Sequence, residues 1–194
     1  MQTYREELDV ALKQISFGND ATYEQNMAAL TELFLNVRRK NGSVYFIGNG
    51  GSAGIATHMT ADFLKNGKMR AISLYDVPTI TCLANDFGYA EVFCRQLDWL
   101  ARPGDLLVAI SSSGESKNII NAVQTAKEKK CHVVTITGFR AGNTLRTLGE
   151  INIHVPSSEY GIVESIHNMI LQQTVDEILR RDKILAQDGK AGAL

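Results

Sequence analysis

The chain has 194 residues, of which 44% are hydrophobic, and its 20 basic and 21 acidic side chains give a net charge of −1. This length predicts a single domain over residues 1–194 with room for an ample core. The balanced charge argues against non-specific binding to nucleic acid, which needs a strongly basic surface. The charged, amphipathic start is not typical of a targeting peptide, and no apolar run reaches the roughly 20 residues that cross a bilayer, so we expect no membrane attachment.

The three cysteines, Cys82, Cys94 and Cys131, show no paired spacing and lie in apolar segments. Such a pattern is typical of buried, reduced thiols and predicts a cytoplasmic protein. The single tryptophan, Trp99, falls on the apolar stripe of a predicted helix. We therefore expect Trp99 to lie in the core.

Two amphipathic helices are predicted first, over residues 3–16 and 21–40, and the second ends at the helix-stop signal KNG. Their apolar faces need a partner surface. We therefore expect residues 1–41 to form a helical arm through which copies of the chain assemble.

Strands and helices alternate through the rest of the chain. Strands are predicted at residues 43–48, 70–75, 105–110, 132–138 and 151–155. Helices are predicted at residues 52–64, 77–86, 90–101 and 115–130, followed by a long helix from 160 to beyond 179. This alternation predicts an α/β fold, in which right-handed crossovers build a parallel sheet with helices on both faces. Ligands of such sheets bind at the carboxyl ends of the strands.

Two of these strand ends are rich in small polar residues. The glycine loop, GNGGSAG (48–54), follows the first strand, and the serine loop, SSSGES (111–116), follows the third. Backbone N–H groups and hydroxyls at the start of a helix bind anions, most simply phosphate. A serine capping a tight turn explains either loop alone equally well, but two such loops in one sheet favour phosphate binding. Neither loop has the P-loop or the dinucleotide-binding pattern, so nucleotide binding is not predicted.

The segments GNGGSAGIATHMTADF, ANDFGYAEVF and AISSSGES, in this order and spacing, resemble the sugar isomerase (SIS) domain and, within it, the phosphoheptose isomerases. The resemblance covers nearly the whole chain and implies a flavodoxin-like sheet of five parallel strands, preceded by two helices. It also implies a homotetramer with active sites between subunits, acting on sedoheptulose 7-phosphate in heptose synthesis for lipopolysaccharide or capsule. The implied contacts to the sugar phosphate are Asn49, Gly50, Gly51, Ser52, Asn85 and Asp86, and those to the phosphate itself are Ser111, Ser112, Ser113 and Ser116.

The family's acid–base positions carry different residues in this chain. Moving a carbonyl between C1 and C2 requires a base for a carbon-bound proton and an acid for the oxygens. By the resemblance, Asp62 stands where the family has Glu, Glu164 where it has Gln, and Gln172 where it has His. Gln172 has no proton to exchange near neutral pH, and Asp62 is one methylene shorter than Glu. We predict Asp62, Glu164 and Gln172 as the catalytic positions, with Glu164 as the base and a nearby Asp62 shifting its pKa.

Some members of the family hold zinc at these positions, which implies the ligand set His58, Asp62, Glu164 and Gln172. His58 and Asp62 are four residues apart on one helix face, and Glu164 and His167 are three apart on another. Both pairs are equally typical of an ordinary polar helix face. His167 is either a replacement acid or a structural residue, and His154 is expected to pack within its strand.

Two functions remain open on the sequence. The first is a ketose–aldose isomerase that acts on sedoheptulose 7-phosphate or a related sugar phosphate through an enediol. The second is a non-catalytic module that binds a phosphosugar or a protein, as in relatives that associate with a bacterial replication initiator. The substituted catalytic positions favour the module, whereas Glu164, the intact His58 and the two complete loops favour the enzyme.

Overall fold

The computed structural model describes residues 3–191 of the chain. Its strands are β1 (Ser43–Ile47), β2 (Arg70–Ser73), β3 (Leu106–Ser111), β4 (His132–Thr137) and β5 (Ile151–His154). They pair in parallel in the order β2-β1-β3-β4-β5. This is the flavodoxin-like order, so the predicted sheet is confirmed.

Seven α-helices lie within the described residues. They are α1 (Tyr4–Lys13), α2 (Tyr23–Arg39), α3 (Gly51–Lys65), α4 (Val77–Phe87), α5 (Val92–Leu100), α6 (Lys117–Glu128) and α7 (Tyr160–Ala191). Each matches a predicted helix, with ends that differ by a few residues. Between residues 3 and 191 none of them, α7 included, has both the length and the apolar character that crossing a membrane requires.

The sheet is buried on both faces. In β3, Leu106 and Val108 join the core shared with α1, α2, α3 and α7. The alternate residues Leu107 and Ala109 join the core shared with α4, α5 and α6. Two buried faces explain why β1 and β3 have almost continuous apolar sequences, as strands of parallel sheets do.

The second leading helix packs on the core of its own chain. The Phe34 ring of α2 lies 6.4 Å from the Phe46 ring of β1 and 4.5 Å from the Phe63 ring of α3, between centroids. Arg38 donates hydrogen bonds of 2.9 and 2.7 Å to the two carboxylate oxygens of Asp182 in α7. Much of the apolar surface predicted for assembly is therefore buried within this chain, and the assembly role of residues 1–41 stays a prediction.

Two predictions about single residues are wrong. Trp99 is 61% exposed at the end of α5. It lies two residues after the buried Leu97, and a helix turns by about 100° per residue, so Trp99 points away from the core. Cys82 is exposed on α4. Cys94 and Cys131 are buried as predicted, and burial raises the pKa of each thiol to about 11.

Candidate functional site

The glycine loop and the serine loop meet in one cavity of about 400 Å³. They follow the neighbouring strands β1 and β3, where the strand order reverses, which is the usual ligand position in this fold. Eight of the ten predicted substrate-binding residues line the cavity: Asn49, Gly50, Gly51, Ser52, Ser111, Ser112, Ser113 and Ser116. Glu164 also lines it, together with Tyr160, the first residue of α7, which the sequence analysis missed.

Hydroxyl groups of the serine loop are left available to a ligand. Ser116 stands at the N-terminal cap of α6, yet its side chain makes no capping hydrogen bond and has only a 3.4 Å contact with the Ser111 hydroxyl. The Ser112 hydroxyl is buried without a hydrogen-bond partner among the described residues. An unsatisfied buried hydroxyl costs about 1–3 kcal/mol. The loop is therefore more than a capped turn, and its geometry suits a ligand with several acceptor oxygens.

The glycine loop is shaped by its backbone. Gly50, at the N-terminal cap of α3, has φ of +55°, a conformation that glycine adopts without strain. The Tyr75 hydroxyl donates to the Gly48 carbonyl at 2.7 Å and accepts from the Gly48 amide at 2.6 Å. The first N–H groups of α3 have no partner within the helix and lie at the cavity. This loop, like the serine loop, offers backbone donors to an anion.

A pair of asparagines fixes the two loops relative to each other. Asn49 and Asn118 exchange two hydrogen bonds of 2.9 Å, and the Tyr89 hydroxyl donates to Asn49 at 2.9 Å. Asn118 lies in the first turn of α6 and is only 3% exposed. The Asn49 amide is thus engaged in holding β1 against α6. Sequence reasoning missed Asn118, whose signal is a polar residue directly before the core residue Ile119.

The carboxylate of Glu164 lies against the first residue of α3. A side chain on Gly51 would overlap both carboxylate oxygens of Glu164, so this close approach requires glycine. Glu164 is half-buried, and its carboxylate has no hydrogen-bond partner within the described part of the chain. A carboxylate with free lone pairs in a substrate-sized cavity is able to take up a proton.

Asp62, His58 and Gln172 form a separate polar cluster between α3 and α7. The Gln172 amide nitrogen donates to Asp62 at 2.7 Å and lies 3.1 Å from Nε2 of His58. Nε2 of His58 lies 3.3 Å from Oδ2 of Asp62. Glu164 precedes Gln172 by eight residues, which is about 12 Å along α7. Within one chain, the structure therefore keeps Asp62 and Gln172 apart from Glu164, although the sequence analysis grouped all three.

Asn85 and Asp86 lie on exposed turns of α4, outside the lining of the cavity. The Asn85 amide donates to the Asp86 carboxylate at 2.9 Å. Contact of Asn85 and Asp86 with the sugar, which the resemblance implies, stays a prediction.

Two histidines near the end of the sheet are structural. Nε2 of His167 lies 3.0 Å from the Thr137 carbonyl, and Nδ1 of His154 lies 3.3 Å from the Thr137 hydroxyl. Burial lowers the pKa of each histidine to about 4. Neither lines the cavity. His154 therefore packs as predicted. Of the two roles considered for His167, the structural one fits, and that of a replacement acid does not.

The side chains of one chain do not fit a zinc ion. Zinc prefers three or more ligands from cysteine, histidine and carboxylate side chains. Across residues 3–191 there is no group of three such side chains that could hold a metal. His58 and Asp62 supply two donors, and Gln172 turns its amide nitrogen toward them. The zinc site that the family resemblance implies is therefore incomplete within one chain, and we assign no proton transfer to a metal.

Known proteins are similar to this chain in both sequence and fold. The SIS domain family matches residues 3–138. The phosphoheptose isomerase of Azoarcus sp. (strain BH72) is 36% identical over 160 residues, which cover 78% of this chain and 81% of that protein. The phosphoheptose isomerase of Shewanella baltica (strain OS155) is 34% identical over 164 residues, which cover 80% of this chain and 83% of that protein.

Two solved structures agree with this placement. The phosphoheptose isomerase from Neisseria gonorrhoeae aligns with a TM-score of 0.77 and 31% identity, over 89% of this chain and 90% of that one. A phosphoheptose isomerase from Francisella tularensis aligns with a TM-score of 0.81 and 28% identity, over 92% of this chain and 95% of that one. These relatives favour the enzyme over the non-catalytic module. Sequence, motifs and fold agree, and the chain belongs to the SIS domain family, among relatives named phosphoheptose isomerases.

Proposed function

We propose that the protein is a phosphosugar isomerase that interconverts a ketose phosphate and an aldose phosphate, with sedoheptulose 7-phosphate as its substrate. Two serine hydroxyls carry the proposal. The hydroxyl of Ser112 is buried without a partner among the described residues, and the hydroxyl of Ser116, at the N-terminal cap of α6, makes no capping hydrogen bond. Both residues line a cavity of about 400 Å³, within the range that holds small metabolites. The names of the relatives support the choice of sugar.

The phosphate binds at the serine loop. Its oxygens accept hydrogen bonds from the hydroxyls of Ser112, Ser113 and Ser116 and from the first N–H groups of α6. The lining contains no lysine or arginine among the described residues, so the attraction comes from these donors and from the positive end of the α6 dipole. Such a site binds a phosphate through its shape and donors more than through charge.

Glu164 transfers the proton. It removes a proton from C1 of the ketose while the C2 oxygen gains one, which gives an enediol. Return of the proton to C2, with loss of the O1 proton, leaves an aldehyde at C1. Glu164 is the carboxylate that lines the cavity, and its oxygens are free of partners in the described residues. Asp62 is bound by Gln172 outside that cavity, so we assign neither of these residues to proton transfer within the same chain.

We also propose that the enzyme is a homotetramer, on the basis of the family resemblance and of large apolar side chains left exposed on one chain. Val77 on α4 is 70% exposed, and Trp99 on α5 is 61% exposed. Burial of these side chains against another copy of the chain would remove apolar surface from water. Light scattering at micromolar concentration should give a tetramer mass, and a stable monomer would contradict this. The cytoplasmic location stays a prediction.

The isomerase is tested by incubating the protein with sedoheptulose 7-phosphate and following the aldose phosphate by NMR. We expect conversion by the wild type and none without protein. If the protein binds phosphosugars but converts none, the non-catalytic module is correct. In that event the double variant Asp62→Glu with Gln172→His, which restores the family's residues at two of the three changed positions, should gain activity.

A further inference from the structure

We propose that Glu164 restricts the cavity to sugars with a single phosphate, because its carboxylate lies beside the helix end that would otherwise attract a second anion. This inference rests on the proposed function and deepens it, since it names the substrate class and the residue that selects it.

Two helices begin at this cavity. α6 starts at the serine loop, and α3 starts at Gly51 in the glycine loop. Each helix start carries unpaired N–H groups and a partial positive charge, so each attracts an anion. On this ground alone the cavity would suit a sugar with a phosphate at both ends.

The two helix starts differ in what already lies beside them. The Glu164 carboxylate lies directly over Gly51 at the start of α3, where a side chain would overlap both of its oxygens. At the start of α6 the carboxylate of Glu115 is bound by the Thr144 amide and hydroxyl and does not line the cavity. The buried Ser112 hydroxyl is without a partner among the described residues. A carboxylate of the protein therefore lies beside the start of α3, whereas the start of α6 is left open for the ligand's phosphate.

Among the residues that the structure describes, no lysine or arginine lines the cavity to offset the charge of Glu164. The described residues that line it are otherwise uncharged: glycines, serines, Asn49 and Tyr160. A second phosphate near α3 would thus meet a carboxylate without a neutralising lysine or arginine, which is unfavourable at short range. A hydroxyl is instead able to donate to the free carboxylate oxygens. The cavity therefore fits a polyhydroxy chain with phosphate at the serine loop and hydroxyls at Glu164.

The test compares two commercial probes, fructose 6-phosphate and fructose 1,6-bisphosphate, by calorimetric titration at fixed ionic strength. We expect the wild type to prefer the monophosphate by about tenfold or more, after screening by salt. Glu164→Gln keeps the shape of the side chain and removes its charge, so this preference should fall by about tenfold. Glu159→Gln is the matched control, because Glu159 is exposed and lies outside the cavity, and it should leave the preference unchanged.

Equal affinity of the wild type for both probes would overturn the inference. So would an unchanged preference in Glu164→Gln, or an equal loss of preference in Glu159→Gln. If the wild type converts sedoheptulose 7-phosphate in any of these cases, the proposed function stands and only the selectivity is wrong. If it neither binds a probe nor converts the sugar, both proposals fail.

Discussion

The two loops at the sheet edge and the Asp62 cluster between α3 and α7 are built in different ways. In the loops, most donors are backbone N–H groups and serine hydroxyls whose positions follow from the ends of β1 and β3. In the Asp62 cluster, side chains of two helices must meet, and Gln172 joins Asp62 across 110 residues of chain. A binding site made mainly of backbone tolerates sequence change, whereas a chemical group depends on one side chain. The loop geometry is therefore set locally by the ends of the strands, whereas the Asp62 cluster depends on how two helices pack.

The largest effect should come from Glu164. Glu164→Gln should lower kcat by about 10²–10⁴, the usual contribution of a positioned general acid or base, while phosphosugar binding is retained. Steady-state kinetics on sedoheptulose 7-phosphate measure this, with calorimetry for the binding. Glu164→Asp keeps the carboxylate and should recover part of the rate. Equal activity of Glu164→Gln and wild type would place the chemistry elsewhere, with Asp62 as the next candidate.

A smaller effect is expected in the serine loop. Ser113→Ala or Ser116→Ala should weaken binding of the sugar phosphate about ten- to a hundredfold, since a hydrogen bond to a charged group contributes about 1.5–3 kcal/mol. Stability should change little, because both side chains are only half-buried. Ser73→Ala, an exposed serine at the end of β2, is the matched control. Unchanged affinity in both loop variants would locate the phosphate outside this loop.

The loops were predictable from the sequence because their signal is local. Small polar residues directly follow apolar strands, and the carboxyl ends of neighbouring parallel strands share one edge. The partner of Asn49 was not predictable, since Asn118 lies 69 residues away. The separation of Asp62 from Glu164 likewise depends on how α3 packs along α7, which no local pattern encodes. Trp99 shows the same limit, because a shift of two residues moves a side chain from core to solvent.

The two buried histidines beside Thr137 should make the fold sensitive to acid. Burial lowers the pKa of His154 and His167 from 6.5 to about 4, so between these values the unfolded chain binds more protons than the native one. The free energy of unfolding should therefore be constant above pH 6.5 with respect to these groups, and should fall from there toward pH 4. The upper limit of the slope is about 1.4 kcal/mol per pH unit for each histidine.

Urea unfolding at several pH values measures this slope. His167→Gln removes one titrating group and should make the slope shallower. His132→Gln removes a more exposed histidine, paired with Glu150 at the surface, and is the control. The same slope in wild type and His167→Gln would contradict the role of burial.

The smallest effect is expected from metal removal. Because His58, Asp62 and Gln172 supply only two good zinc ligands, treatment with a chelator should leave turnover unchanged. Metal analysis of the purified protein is the companion measurement. Loss of activity with the chelator and recovery with zinc would show that the Asp62 cluster, completed by other groups, takes part in the reaction.

Deuterium incorporation from D₂O tests most directly whether the chemistry belongs to the cavity or to the Asp62 cluster. NMR of sedoheptulose 7-phosphate and its aldose product reports proton transfer at the carbons next to the carbonyl, whatever step limits the overall rate. We predict exchange by the wild type and by Asp62→Asn, and binding without exchange by Glu164→Gln. Exchange by Glu164→Gln at the wild-type rate, with its loss in Asp62→Asn, would contradict the assignment of proton transfer to Glu164.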